Sequence, residues 1–264
     1  MLKIENVFKT FNPGTVNEKK ALQGLNLHLK PGEFVTVIGG NGAGKSTMLN
    51  TVAGVFSVES GRILIDSVDV THLPEYKRAK YIGRVFQDPM MGTAATMQIE
   101  ENLALAARRG RPRTLRSGIT KQEREYYREQ LKILDLGLED RMTAKVGLLS
   151  GGQRQALTLL MATLQKPKLL LLDEHTAALD PKTADKVLEA TEKIVKKDKL
   201  TTMMITHNMR DAIAHGDRLI MMYDGHIVVD VSGEEKKKLT VEQLLALFSE
   251  ASGSDEVNDK LLLS

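Results

Sequence analysis

The amino-acid sequence predicts an α/β fold, and two features of the chain support that prediction. Short apolar runs of strand length, such as residues 33–38 and 169–172, alternate with longer segments of helical pattern. A glycine-rich loop at residues 39–44 follows the first of these runs and leads into a helix at residues 46–53. Because alternating β and α segments form a mainly parallel sheet covered by helices, we expect a layered α/β core.

The N-terminal part of the chain adds antiparallel strands to this core. In residues 22–29, Leu25, Leu27 and Leu29 alternate with polar residues, as in a half-buried antiparallel strand. Three more runs with strand patterns are found at residues 2–8, 61–66 and 82–86.

Residues 88–147 have a different character, because they contain helical patterns and few strand signals. Residues 97–107 predict one helix, and a capping box from Thr120 to Glu123 opens a charged helix that ends near residue 134. We interpret this section as a helical subdomain inserted between βα segments.

The β and α patterns alternate again in the last third of the chain. Asp224-Gly225 separates two apolar runs and predicts a hairpin. A cap at Thr240 opens a final helix to Phe248, and the polar tail at residues 249–264 is expected to fray. The helices and strands expected here lie at residues 152–164, 169–172, 181–196, 201–206, 218–223 and 226–231.

The composition is that of an ordinary globular protein. The chain has 264 residues and a formal net charge of +3, which is too small to indicate nucleic acid as a partner. It contains no cysteine, which excludes disulfides and thiolate ligands. The first residues lack the apolar segment of a secretory signal, and no run approaches the roughly eighteen apolar residues of a membrane span. We therefore expect a cytoplasmic protein whose membrane role, if any, depends on a partner.

Residues 39–47 match the pattern G-x-x-x-x-G-K-[ST] of a phosphate-binding P-loop, between a strand and a helix as that pattern requires. Glycines allow successive backbone N–H groups to converge on an anion, and the helix N-terminus adds partial positive charge. Lys45 can reach the β- and γ-phosphates, and the Ser46 hydroxyl can ligate Mg²⁺. The alternative is a glycine-rich turn without a ligand. The Lys-Ser-Thr ending favours binding of a nucleoside triphosphate.

Two carboxylates, Asp173 and Glu174, follow the apolar run at residues 169–172. Ligands of parallel sheets bind at the carboxyl ends of strands, so these side chains are expected beside the P-loop. Asp173 would hold Mg²⁺ through water, and Glu174 would polarise the attacking water. The alternative is a strand that ends in solvated acids.

A third feature is the sequence LSGGQRQ at residues 149–155. Ser150 is a good N-cap, and the segment could be only a turn and a helix start. Two glycines and a cap also expose N–H groups at the positive end of a helix dipole, which makes an anion site. Two anion sites far apart in one chain suggest a ligand shared between two copies.

The order of these motifs closely resembles the nucleotide-binding subunit of ABC transporters over about residues 2–248. It comprises the P-loop, Gln87, the segment from Leu149 to Gln153, Asp173-Glu174, Asp180 and His207. The resemblance implies a P-loop NTPase (RecA-like) core at residues 1–248. An antiparallel β subdomain and a helical subdomain at residues 88–147 would be part of it, followed by the tail.

The resemblance also implies roles for individual residues. Two copies would pair head to tail around two ATP molecules and Mg²⁺, each site joining one P-loop to Ser150 and Gly152 of the other copy. Gln87 would sense Mg²⁺ and water and relay to a membrane partner, Asp180 would cross the dimer interface, and His207 would contact the γ-phosphate. The nucleotide-binding residues implied are Phe11, Gly39, Asn41, Gly42, Ala43, Gly44, Lys45, Ser46, Thr47, Ser150, Gly151, Gly152, Gln153 and Asp180, with Ser46, Gln87 and Asp173 at the metal and Glu174, His207 and Gln87 as catalytic residues.

The chain departs from the family pattern at two places. His175 stands where the family usually has proline after the catalytic glutamate, and the helix after Gln153 lacks an arginine that many relatives carry at residues 156–161. A catalytic role is one alternative for His175, but like the other histidines outside the motifs it is expected to be a surface or packing residue. Arg108, Arg109, Arg111, Arg113 and Arg116 form an arginine cluster, which could face lipid headgroups or an acidic partner or could be a solvated loop.

We therefore expect an ATP-hydrolysing subunit at the cytoplasmic face of the membrane, docked on a separate permease. The sequence is similar to ATPases of bacterial uptake systems for branched-chain or aromatic amino acids that use an extracytoplasmic substrate-binding protein. A soluble ABC ATPase acting on nucleic acid or ribosomes, the ATPase of an exporter, and a P-loop kinase are the alternatives. The kinase leaves the Ser150 motif and His207 unexplained, and no nucleic-acid partner is expected.

Overall fold

The computed structural model describes residues 1–110 and 118–252. The chain divides into two compact units. One holds Met1–Arg78 and the described residues from Thr201 onward, and the other is Ala79–Leu200. Each unit is described by itself below.

The bounds of the regular elements follow the alternation that the sequence predicts. In chain order the described strands are β1 (Leu2–Phe11), β2 (Lys19–Leu29), β3 (Phe34–Gly39), β4 (Ser60–Ile65), β5 (Val68–Asp69), β6 (Ile82–Val85), β7 (Leu169–Asp173), β8 (Thr201–Ile205), β9 (Arg218–Tyr223) and β10 (His226–Ser232). The described α-helices are α1 (Lys45–Ala53), α2 (Glu75–Arg78), α3 (Ile99–Ala107), α4 (Lys121–Lys132), α5 (Gly151–Thr163), α6 (Pro181–Asp198), α7 (Met209–Ala214), α8 (Gly233–Lys238) and α9 (Val241–Ser252).

The first unit contains an antiparallel sheet and a mainly parallel one. The antiparallel sheet has the order β2-β1-β4-β5 and buries Leu25, Leu27 and Leu29 of β2, which confirms the alternation predicted there. In the second sheet β3 runs parallel to both β8 and β9. β10 pairs antiparallel with β9 through the turn at Asp224-Gly225, where both residues have positive φ, so the predicted hairpin is confirmed.

The second unit pairs β6 parallel to β7 and places α5 in the interior. Between β6 and α5 the described residues form α3, α4 and two short 3-10 helices, Leu138–Asp140 and Val146–Leu148. The partly exposed Arg124 of α4 forms an ion pair of 2.7 Å with the buried Glu100 of α3. The helical character predicted for residues 88–147 is confirmed, whereas their separation as a subdomain stays a prediction.

Three short helices, α2, α7 and α8, were not predicted, because four to six residues are too few to show a helical period. The predicted end of the last helix at Phe248 was wrong, since α9 continues to Ser252. Leu244 and Phe248 are fully buried against the hairpin, and the Phe248 ring meets Tyr223 edge to face with centroids 5.6 Å apart. Residues 253–264 of the expected tail lie outside the described residues. Among the described residues, no helix is both long and apolar enough to span a membrane.

Candidate nucleotide-binding site

The P-loop of the first unit has a backbone that only glycine adopts easily. Gly39, Gly42 and Gly44 have φ values of 149°, 83° and 103°. A β-carbon on Gly39 would lie 2.3 Å from the carbonyl oxygen of Met222, and one on Gly44 would lie 2.5 Å from that of Ala21. The glycines are therefore required both for backbone conformation and for the close approach of neighbouring strands.

The start of α1 has the features of an anion site. Gly44 precedes the helix without a side-chain cap, and no acidic residue lies in the first turn. Lys45 is only 4% exposed, and its Nζ donates hydrogen bonds to the carbonyls of Gly39 (2.6 Å) and Gly40 (3.1 Å), so the ammonium group is held against the loop. N–H groups without a capping side chain, a helix dipole and a buried ammonium together fit a bound phosphate.

His207 leaves the sheet at the same edge as the P-loop. β3 and β8 pair with Val37 opposite Ile205, and the N–H of Thr206 donates to the Val37 carbonyl over 3.1 Å. His207 lies two positions beyond Ile205, as Gly39 lies two positions beyond Val37. The register thus brings the predicted γ-phosphate residue to the carboxyl edge that carries the P-loop.

Phe11, the predicted adenine-stacking residue, closes β1 opposite Lys19 of β2. Its half-buried ring meets Phe56 edge to face at 5.2 Å, and Nζ of Lys9 lies 5.3 Å from the ring centroid. The ring is thus held by neighbours in the first unit. Its stacking role stays a prediction.

In the second unit the predicted catalytic residue and the predicted sensor follow two neighbouring strands. β6 and β7 pair with Val85 opposite Leu172, so Gln87 and Glu174 each lie two positions beyond a matched pair. Glu174 has a left-handed φ of 46°, an uncommon value for a residue other than glycine. The register therefore brings these two residues to the same strand edge, a placement that the sequence analysis had not stated.

The signature segment begins α5, and Ser150 is its N-cap, as predicted. Ser150 Oγ accepts a hydrogen bond from the N–H of Gln153 (3.3 Å), and the Gln153 side chain accepts one from the N–H of Ser150 (3.2 Å). Gly151 and Gly152 belong to the first helical turn, where N–H groups have no intrahelical partner. The second anion site expected from the sequence therefore has a matching helix start.

Asp180 is the N-cap of α6. Its carboxylate accepts hydrogen bonds from the hydroxyl and the backbone N–H of Thr183, and these bonds lower the pKa of Asp180. The cap explains the residue locally, so its predicted place at a dimer interface stays a prediction.

Two residues that the sequence analysis did not assign contact residues at this strand edge. Arg84 of β6 forms an ion pair of 3.5 Å with Asp173, and its guanidinium lies 4.6 Å from the Phe86 ring. Gln155 of α5 donates from Nε2 to the Phe86 carbonyl over 3.0 Å, which ties the signature helix to the segment before Gln87. Residues 82–86 were predicted as a strand, but no motif pointed to the partner of Arg84. His175, which the sequence analysis expected to be a surface or packing residue, is buried, with 2% exposure.

The donor set for a metal is small. No group of three or more His, Cys, Asp or Glu side chains within residues 1–110 and 118–252 could hold a metal ion. Mg²⁺ in nucleotide sites is typically held by one or two protein ligands and by substrate phosphates. The hydroxyl of Ser46 in the first unit and the carboxylate of Asp173 in the second unit are each a ligand type that Mg²⁺ accepts beside a bound nucleotide.

The remaining predicted residues lie where the sequence placed them. Asn41, Ala43 and Thr47 belong to the P-loop and the first turn of α1. Of the arginine cluster, Arg111, Arg113 and Arg116 lie outside the described residues, while Arg109 donates to the Ala162 carbonyl over 3.2 Å.

A P-loop between a buried parallel strand and a helix, in an α/β chain, defines a P-loop nucleoside-triphosphatase.

Comparison with known proteins gives the family. A family model described as ABC transporter matches residues 22–177. The chain is 46% identical over 252 residues to a tyrosine transport ATP-binding protein of Clostridioides difficile, covering 95% of this chain and 100% of that protein. It is 34% identical over 239 residues to the energy-coupling factor transporter ATP-binding protein EcfA2 of Clostridium acetobutylicum, covering 89% and 80%.

A solved structure has the same fold. The dimeric post-hydrolysis state of the ATP-binding cassette MJ0796 with ADP and Pi has a TM-score of 0.75 and 32% sequence identity, covering 88% of this chain and 98% of that one. The chain therefore belongs to the ABC transporter family, as its ATP-binding cassette. It binds ATP and is an ATPase coupled to transport.

Proposed function

We propose that this chain dimerises around two ATP molecules and powers a separate membrane permease that imports an aromatic amino acid or a similar small solute. The observation that carries the ATPase part is the β6/β7 register, which places Gln87 and Glu174 at one strand edge. A residue that senses nucleotide state beside the residue that polarises water is the arrangement that coupling needs. The dimeric state of the cassette MJ0796 supports the pairing of two copies.

Each predicted site residue has a role in this proposal. Lys45 and the N–H groups at the start of α1 bind phosphate, and Ser46 and Asp173 hold Mg²⁺, which supplies charge neutralisation when bound. Glu174 polarises the attacking water, and His207 contacts the γ-phosphate. Ser150 and Gly152 bind the nucleotide of the partner copy, where the helix start favours negative charge.

The cargo and its direction come from resemblance. The relative from Clostridioides difficile is named for tyrosine transport and matches along its whole length. The resemblance to amino-acid uptake systems favours import with an extracytoplasmic substrate-binding protein. An aromatic amino acid is thus the cargo class to test first.

The experiment is a pull-down of tagged Glu174→Gln protein from its native membranes in ATP and Mg²⁺, with identification of the chains that co-purify. Removing the base slows hydrolysis and traps the ATP-bound dimer on its partner. We expect a permease together with a binding protein, and the ligand of that binding protein identifies the cargo. Glu174→Gln/Lys45→Ala, which lacks the phosphate-binding ammonium, is the matched control.

Other outcomes would change the proposal. A permease without a binding protein would favour an exporter. A ribosome or nucleic acid in place of a permease would overturn the transporter assignment. Steady-state turnover of Glu174→Gln near that of the unmodified protein would contradict the role of Glu174 as base.

A further inference from the structure

We propose that His175 is a positioning residue that anchors the turn after β7 to Thr191 of α6 and thereby fixes the backbone from which Glu174 projects. This inference rests on the proposed role of Glu174 as the group that polarises water. Its support comes from the burial of two side chains, the direction of their hydrogen bond and the backbone conformation of Glu174.

Both members of the contact are inside the second unit. His175 is 2% exposed and Thr191 is 1% exposed. The His175 Nε2 atom lies 3.2 Å from Thr191 Oγ1. A buried imidazole that loses this partner would keep a desolvated polar atom, so the contact constrains both elements.

The direction of this hydrogen bond follows from the number of protons available. Thr191 Oγ1 donates to the carbonyl of Val187, one helical turn earlier, over 2.8 Å. A hydroxyl has one proton to donate, so the oxygen must accept from His175. His175 therefore carries a proton on Nε2, and its ring is oriented by α6.

The backbone next to His175 is held in an unfavourable conformation. Glu174 has a φ of 46°, and its carbonyl accepts a hydrogen bond of 3.0 Å from the N–H of Ala177, which closes the turn. A left-handed conformation at a residue with a β-carbon costs free energy and persists only where the surroundings impose it. The anchored imidazole directly after Glu174 is one such constraint.

Proline at position 175 has no polar side chain and could not make this contact with Thr191. A residue that precedes proline is pushed towards extended backbone, unlike the left-handed φ of 46° at Glu174. This chain thus has a buried side-chain anchor where the family pattern has a ring constraint. Loss of the His175–Thr191 hydrogen bond should allow the Glu174 carboxylate to move from its position. A displacement of about 1 Å can lower the rate on the order of a hundredfold.

The test compares Thr191→Val with Thr191→Ser. Valine keeps the branched shape but removes the acceptor, whereas serine keeps the hydroxyl and loses one methyl group. We expect Thr191→Val to lower kcat about tenfold or more, with the ATP dissociation constant and the circular dichroism spectrum unchanged. Thr191→Ser should stay within about twofold of the unmodified protein.

A second pair of variants changes the imidazole itself. His175→Gln can present an amide N–H near the position of Nε2, whereas His175→Leu cannot donate. We expect partial rescue of kcat by glutamine over leucine. Complete loss in His175→Gln with ATP binding intact would instead make His175 a group that takes part in the chemistry, and would overturn the positioning role.

Single-turnover hydrolysis in the Glu174→Gln background separates positioning from general loss of structure. If the anchor acts through Glu174, adding Thr191→Val should not lower the residual rate further. An equal loss in both backgrounds would overturn the inference. By contrast, Glu174→Gln turning over at the unmodified rate would refute the proposed base, whatever the threonine variants do.

Discussion

The side chain of Thr183 fills the space that a β-carbon on Gly152 would need. An ideal β-carbon at Gly152 would lie 1.9 Å from Cγ2 of Thr183, whereas one at Gly151 would meet its nearest neighbour, Leu179, at 3.5 Å. The start of α5 therefore packs directly against the start of α6, where Asp180 is the cap. One of the two signature glycines is required by packing and the other is not.

Gly152→Ala should therefore be far more damaging than Gly151→Ala. The added methyl must push α5 away from α6, at a typical cost of about 1–3 kcal/mol for overpacking. We expect a lower unfolding free energy and weaker ATP-driven dimerisation, measured by urea unfolding and by light scattering with and without ATP. Thr183→Ser removes the clashing methyl and should restore both properties in the double variant; no restoration would contradict the packing explanation.

Arg84 should raise the Mg²⁺ concentration that the enzyme needs, because its guanidinium lies beside the carboxylate that is proposed to hold the ion. The pair is largely buried, with side chains 13% and 16% exposed, so solvent screens it little. Arg84→Met should lower the Mg²⁺ concentration for half-maximal ATPase by about twofold to tenfold. Titration of ATPase activity and of ATP-dependent thermal stability with Mg²⁺ would measure this.

Arg128→Met is the control for that experiment, since Arg128 pairs with Glu125 on the exposed face of α4. It should leave the Mg²⁺ requirement unchanged. A higher requirement in Arg84→Met would show that the arginine orients the carboxylate for the metal and does not compete with it.

Arg78 should stabilise the helix that carries the P-loop residues. It is 2% exposed and donates to the carbonyls of Thr51 and Val52 in the last turn of α1, at 2.8 and 2.9 Å, and also to those of Leu73 and Thr71. Arg78→Lys retains the charge but cannot serve four carbonyls, so we expect a loss of about 2–4 kcal/mol of unfolding free energy. Urea unfolding would measure it, and Lys77→Met on the exposed side of α2 should have little effect.

Asp69 should contribute stability that disappears in acid. Hydrogen bonds from the hydroxyl and N–H of Thr71 lower the pKa of Asp69 from 3.8 to about 2. Because the native pKa is below the unfolded one, the contribution is complete above pH 4 and is lost as pH falls from about 4 to about 2. Asp69→Asn should be less stable than the unmodified protein at pH 7, by about 1 kcal/mol or less at this partly exposed site, and the difference should shrink below pH 4.

Urea unfolding at pH 7, 4 and 3 would measure this difference. Glu5→Gln, at an exposed position of β1, is the control and should change stability little at each pH. A gap between Asp69→Asn and the unmodified protein that stays constant down to pH 3 would contradict the lowered pKa.

Much of the fold could be predicted from local patterns. The leucines of β2, the apolar run of β7 and the Asp-Gly turn each specify a period or a backbone angle within a few residues, and each was confirmed. The helix that ends in Ser252 was cut short in the prediction, because the polar residues after Phe248 have no pattern of their own. They continue a helix that is held by the burial of Leu244 and Phe248 against the hairpin.

The candidate site also combines features that local sequence encodes with contacts between distant elements. Local patterns were enough to predict the P-loop, the cap at Ser150 and the carboxylates Asp173 and Glu174 at the end of β7, because each depends on neighbours in the chain. Three contacts became visible only in the folded chain: Arg84 faces Asp173, Thr183 excludes a side chain at Gly152, and Thr191 orients His175. These contacts join residues on different elements, whose distances depend on how strands pair and helices pack, and no local period encodes them.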